Sequence, residues 1–295
     1  MIQSVIVTSG NVGATITLTE ENPSHGFFLK SIDGLGPAKA NVNVGQMATN
    51  DGSYYNSSRL EQRNIVLQLL FDDSYYGAVE NARMNAYTYF PIKGEVELQI
   101  QTAHRNVKTI GYVESIEPDI FSQQEGAQIS IICPDPYFYD ATDQGRTYTR
   151  INEHEQWEFT YNGDFPLGVE MEIQFRSASL QVGNILIRNE TTDQEILIDS
   201  DRIYAYTGNV IQTGDVLKIS TVKGNKKVYL VREGAGGETE INILNCLSLD
   251  TDWIYLKKGS NYFTFDMEIR NEPDDPSYTR TEKFTIKYRT AYGGV

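Results

Sequence analysis

Carboxylates are the commonest groups in this chain that could do chemistry: Asp and Glu number 40, against 25 Lys and Arg. Close sets occur at Asp72-Asp73, at Glu114 with Glu117 and Asp119, and at Glu153 with Glu155. Two carboxylates about 5–9 Å apart across a cleft can hydrolyse a glycosidic bond. A chain this acidic supplies such pairs by chance, so solvated faces are the expected setting. Asp250 with Asp252, and Asp274-Asp275, offer oxygen ligands for calcium. Neither sits in a complete D-x-D-x-D-G loop. The histidines, His25, His104 and His154, are scattered, as are Cys133 and Cys246. No H-x-H, H-E-x-x-H or C-x-x-C spacing gathers them on a metal, and buried free thiols are expected. Gly34-Leu35-Gly36 and Gly234-Ala235-Gly236-Gly237 fit neither the dinucleotide fingerprint nor a P-loop. No G-x-S-x-G elbow is present. The expectation is a non-enzyme with no catalytic residues, no cofactor and no metal.

Aromatic side chains carry the other candidate activity. Trp157, Trp253, Tyr255 and Tyr262 could form a platform on which a sugar ring stacks, or they could fill a core. Strand alternation puts Trp253 and Tyr255 on one face and Ile254 and Leu256 on the other. The aliphatic face is the better core. Trp253 and Tyr255 are therefore the candidate glycan or partner contacts.

The elements that must position these groups are mainly β. Length alone, 295 residues, suits two domains of about 150. Alternating or β-rich runs fall at the N-terminus, at 14–19, 26–32 and 63–71 (RNIVLQLLF), and again at 95–101, 107–116 and 126–132. Residues 48–58, ATNDGSYYNSS, read as the tip of a long hairpin arm spanning 33–63. One helix is expected: Asp72, Asp73 and Ser74 supply an N-cap cluster, apolar residues recur to Phe90, and Pro91 stops it. The run Cys133-Pro134-Asp135-Pro136-Tyr137-Phe138 reads as a rigid connector. Beyond it come short strands, including 202–206 and 253–256, separated by turn signals, which means a sandwich or jelly roll. The domains are expected at 1–140 (α+β, antiparallel sheets plus one helix) and 141–295 (β-sandwich).

Charge narrows the partners. A formal charge of −15 disfavours nucleic acid and anionic membrane surfaces. No apolar run approaches the roughly 20 residues of a membrane span, and the first residues lack the pattern of a secretory signal.

Several separated motifs then carry a resemblance. SIDGLGPAKANVNVGQMATNDGSYYNSSRLEQRNIVLQLLF, the helix ending in YTYFPIKGEVELQI, and GYVESIEPDIFSQQEGAQISIICPDPYFYD follow one another as in the first domain of the siphophage distal tail protein family. The second half resembles the galectin-like sandwich such proteins often carry, through L-x-x-G-x-N-x-F and the closing KFTIKYRTAYGG. The resemblance implies a structural protein of the virion tail tip, made in the bacterial host cytoplasm. It implies a hexameric hub ring between the tail tube protein and a tail-tip, lysin or fibre protein. The sandwich would project outward and hold receptor-binding proteins or a host glycan. The alternative is a glycan-binding sandwich module that attaches to a cell wall.

The residues suit a ring. Identical chains close a ring through heterologous contacts, and a hairpin arm that pairs with a neighbour's sheet edge is a direct route. Asp51 at the arm, with Arg59 and Arg63 framing its return, are the candidate oligomer contacts. The two arginines are equally readable as intramolecular ion pairs. Six copies at −15 each would give an acidic bore that repels DNA, with Asp51, Asp72, Asp73, Glu95 and Glu97 as candidate lining.

Overall fold

A computed structural model describes residues 1–21, 25–49, 51–75, 77–149, 156–176, 181–234, 237–270 and 281–295. His154 with Glu153 and Glu155, Asp274-Asp275, and Ala235-Gly236 lie outside these described residues. The chain is mainly β and divides into two compact units. Met1–Ala141 and Ala291–Val295 make the first, and Thr142–Thr290 the second. The second unit is thus an insertion. This corrects the expected boundary at its far end: the last five residues return to the first unit.

The first unit contains β1 (Ile2–Ser9), β2 (Thr15–Leu18), β3 (Phe27–Asp33), β4 (Ala40–Gln46), β5 (Ser53–Leu60), β6 (Arg63–Phe71), α1 (Val79–Tyr89), β7 (Glu95–Thr102), β8 (Asn106–Asp119), β9 (Gly126–Cys133) and β10 (Phe138–Asp140). The second contains β11 (Gln144–Thr149), β12 (Gln156–Tyr161), β13 (Leu167–Gly168), β14 (Glu170–Gln174), β15 (Val182–Asn189), β16 (Gln194–Ile198), α2 (Ser200–Thr207), β17 (Val216–Ser220), β18 (Lys227–Gly234), β19 (Gly237–Asn242), β20 (Tyr255–Leu256), β21 (Gly259–Ile269) and β22 (Lys283–Tyr288). A last strand, β23 (Ala291–Tyr292), belongs to the first unit.

In the first unit an antiparallel sheet runs β2-β1-β7-β8-β9-β6-β3, with β10 on β8 and β23 on β10. Alternation drives it. Val5, Val7, Ile65, Leu67, Leu69, Val96, Leu98, Ile129 and Ile131 are buried on one face. Helix α1 covers that face through Ala82 and Ala86, small residues that let it approach β1 and β6. The expected start of this helix was early. Asp72 Oδ1 accepts the Ser74 N–H at 2.6 Å and closes a turn, while Ala78 is the actual N-cap and makes no side-chain bond. Hairpin β4–β5 forms a two-stranded sheet of its own.

The second unit is a two-layer sandwich. A six-stranded sheet (β11-β22-β14-β17-β18-β19) and a four-stranded sheet (β12-β21-β15-β16) share one core. Trp157, Phe159, Ile173, Ile187, Phe265 and Phe284 sit at its centre. Residues 202–206, expected as a strand, belong to α2. Asp199 Oδ1 accepts the N–H groups of Asp201 and Arg202, and Gly208 ends the helix in left-handed geometry at φ 70°.

Both cysteines are free and buried, and burial pushes both thiols up from their usual pKa. Native protein should therefore react with Ellman's reagent on the order of tenfold or more slowly than unfolded protein, read by thionitrobenzoate absorbance at mildly alkaline pH.

Candidate functional site

The feature with the clearest capacity to engage a partner is hairpin β4–β5. Every residue of β4 and β5 except Gly45 and Leu60 is exposed. A lone two-stranded ribbon is marginal in water, and open edges invite pairing with another chain. Its two faces differ. Val42 lies opposite Ser58 and Val44 opposite Tyr55, and directly opposed residues share a face. Val42, Val44 and Tyr55 are 53%, 51% and 64% exposed, so this face is apolar and open. Tyr55 and Ser58 join their hydroxyls at 2.9 Å. The other face pairs Asn41 with Arg59, Asn43 with Ser57 and Gly45 with Tyr54. The Tyr54 ring lies over Gly45, where a Cβ would come within 2.4 Å of it. The register slips between Asn43 and Val44, which bulges β5 and twists the ribbon.

The root of the hairpin is fixed by Arg63, the first residue of β6. The side chain is buried, with the residue 3% exposed. Its Nη1 donates to the carbonyls of Gly34, at 2.6 Å, and Gly36. Nε and Nη2 donate to Pro136 O at 3.1 and 2.7 Å, and Nη2 also reaches Gly293 O at 2.6 Å. The guanidinium carbon lies 4.1 Å from the centroid of the Phe138 ring. No carboxylate pairs with it among the described residues. Burial lowers its pKa, and the carbonyl dipoles hold the charge instead. Beside it, Arg105 donates to Gly294 O and lies 4.3 Å from the Tyr292 ring centroid, while Val295 N donates to Leu35 O at 3.1 Å. The C-terminal residues are thereby stitched to the segment that launches the hairpin. Gly34 is required there: its φ is +86°, and a Cβ would lie 2.0 Å from Asn64 O.

Arg63 is therefore not an arm contact of the kind expected from sequence, since its donors are spent within its own unit. Arg59 is exposed on the polar face of the hairpin, and Asp51 is exposed at its tip. Of the expected bore residues, Asp72 and Asp73 lie outside helix α1. Glu97 pairs with Lys108 at 2.9 Å, and Glu95 accepts the Tyr112 hydroxyl at 3.0 Å. That bond and the Glu95 charge push the Tyr112 phenol up.

In the sandwich, Trp157 is a core residue stacked on Tyr148 at 4.4 Å, so it cannot belong to a surface platform. Ile254 and Leu256 are fully buried, as the alternation requires. Trp253 is half-buried against the core, and Lys226 Nζ sits 5.0 Å from its ring centroid. Tyr255 is 38% exposed. Gln194 brackets this segment, donating to Trp253 O at 2.9 Å and accepting from Tyr255 N at 3.1 Å. The L-x-x-G-x-N-x-F motif is a turn lock. Asn261 accepts from Lys257 N at 3.0 Å and donates to Lys257 O at 2.7 Å and Gly259 O at 3.0 Å, while Asn189 donates to it at 3.3 Å. Among the described residues, no group of three or more His, Cys, Asp or Glu is placed to hold a metal ion.

These features define a two-unit β protein: a helix-backed sheet, a two-stranded ribbon and an inserted sandwich. The fold is that of a phage tail hub protein. The chain is similar to the SPP1 Dit protein, a paradigm of hub adsorption apparatus in phages infecting Gram-positive hosts. The TM-score is 0.65 at 10% identity, over 97% of this chain and 98% of that one. The phage P2 baseplate in its activated conformation with Ca is also similar, at TM-score 0.49 and 12% identity, over 97% and 98%. No family model and no curated protein sequence matches.

Replacing Arg63 with Met keeps length but removes the charged donor shared by four carbonyls, the bond to Gly293 O being buried, and should cost about 3 kcal/mol or more in chemical denaturation. Arg59→Ala, on an exposed strand, should stay within about 0.5 kcal/mol.

Proposed function

We propose that this chain is a structural hub of a phage tail tip. Copies close into a six-fold ring that joins the tail tube to a tail-tip, lysin or fibre protein. The first unit builds the ring, and the sandwich is galectin-like and offers a surface to receptor-binding or host-facing components. The observation that carries this reading is the end-to-end likeness of fold to the SPP1 hub protein. The hairpin supports it independently, because a ribbon with an open apolar face and unpaired edges needs a covering partner. A second copy of the same chain is the partner of this reading: β4 or β5 extends a neighbour's sheet through backbone hydrogen bonds, and Val42, Val44 and Tyr55 pack beneath. Arg59, on the opposite face, is free to meet a carboxylate of the next copy.

Light scattering with negative-stain imaging tests the ring. A mass near six times 33.3 kDa, in rings with a central hole, is the expected result. Val42→Asp with Val44→Asp should shift the mass toward monomer while leaving the unfolding temperature within a few degrees. An unchanged ring in that double variant would remove the hairpin from the interface. A monomer at all concentrations in the parent protein would count against self-assembly of the chain alone.

A further inference from the structure

The outer face of the six-stranded sheet holds a group of polar side chains apart from the hairpin contact proposed above. Strand pairing sets their layout. Glu170 on β14 lies directly opposite Lys287 on β22 and Ser220 on β17, and Ser220 lies opposite Lys227 on β18. Directly opposed residues share a face, so Lys287, Glu170, Ser220 and Lys227 form one row across four strands. Two residues along, Glu172 lies between Thr285 and Lys218 in a parallel row. The two rows border a cleft of about 140 Å³.

Two features of this cleft are unusual for a sheet surface. Ser220 is 2% exposed, and its Oγ has no hydrogen-bond partner among the described residues. A buried hydroxyl without a partner is costly. Neighbouring Lys and Glu on paired strands ordinarily close into ion pairs. Here Glu170, Lys227 and Lys287 form no ion pair or side-chain hydrogen bond among the described residues. Lys218 turns instead to Glu240 at 3.7 Å, and Glu172 accepts from Gln174 at 2.6 Å. Three charged groups and one hydroxyl are thus left uncommitted around one hollow.

We propose that this cleft binds a small hydroxylated anion: a sugar-sized skeleton bearing one carboxylate or phosphate. The volume falls below the roughly 300–1,000 Å³ of pockets for drug-sized ligands, so the ligand is small. Three lysines against two glutamates leave the lining one positive charge in excess, which a single anionic group balances. Lys227 and Lys287 supply ammonium donors for that group. Glu170 accepts hydroxyl protons, and the Ser220 hydroxyl gains the partner it lacks. The site stands on the sandwich alone and does not depend on ring formation.

Saturation-transfer NMR on the full chain tests it, with glucuronate and glucose 6-phosphate as probes and glucose and inorganic phosphate as controls. At least one of the two acids should bind with a dissociation constant of order 1 mM, and which one does separates a carboxylate from a phosphate ligand. Binding should weaken about tenfold or more in Ser220→Val, and likewise in Lys227→Gln with Lys287→Gln. Tyr206→Ala, on exposed α2 away from the cleft, should leave it unchanged. The two lysines are exposed, so that variant keeps the test valid if Ser220→Val fails to fold. Silence from both acids would overturn the proposal. So would binding of glucose or inorganic phosphate as strong as that of the acids, or binding that survives the loss of both lysines.

Discussion

A single desolvated guanidinium joins three stretches of the first unit that lie far apart in sequence. Arg63 binds four carbonyls from three segments far apart in sequence: the launch of the hairpin at Gly34 and Gly36, the connector at Pro136 and the returning chain at Gly293. Each segment has an apolar anchor: Leu35, Phe138, and Tyr292 with Val295. Carbonyl dipoles aimed at one buried cation add to these, each bond strengthened by the charge and the low local dielectric. Lysine could not substitute, since a point charge with three donors cannot span the planar fork that Arg63 presents. The direction in which the hairpin leaves the sheet is set here.

The insertion of the sandwich follows from the same junction. The strand that leaves the first unit, β10, pairs with the strand that returns, β23, through Phe138–Tyr292 and Tyr139–Ala291. Phe138 lies under Arg63 and Tyr292 under Arg105, so each crossing strand is clamped by a cation on an aromatic face. The sandwich has its own closed core and its own polar locks, the Asn189–Asn261 pair and the Asp215–Arg232 ion pair. Its fold therefore owes little to the unit that carries it.

Much of this was legible in the sequence, for local reasons. Strands with one buried face alternate, and RNIVLQLLF is buried at every second residue as its pattern demands. The exposed hairpin was readable from Asn, Ser, Gly and Tyr in place of aliphatic runs. Two local signals were misread. Asp72 and Ser74 look like a cap but close a turn ahead of the helix. Residues 202–206, RIYAY, are rich in strand-favouring Ile and Tyr, yet Asp199 and Gly208 bracket the segment as helix caps. What could not be read was non-local. Nothing around Arg63 announces that its partners are carbonyls of Gly34, Pro136 and Gly293, because a carbonyl has no residue signature. The Ser220 cleft likewise exists only once β14, β17, β18 and β22 are in register.

Charge constrains how copies of this chain could meet. Each carries −15, so approach of identical copies is opposed at long range, though screening confines that repulsion to about 8 Å at physiological salt. Uncharged groups offer an attraction between copies that this repulsion does not oppose. The hairpin carries such groups: its apolar face offers two valines and a tyrosine, and its edges offer uncharged backbone donors and acceptors. Two of the carboxylates expected to face a bore are already engaged, Glu97 by Lys108 and Glu95 by Tyr112.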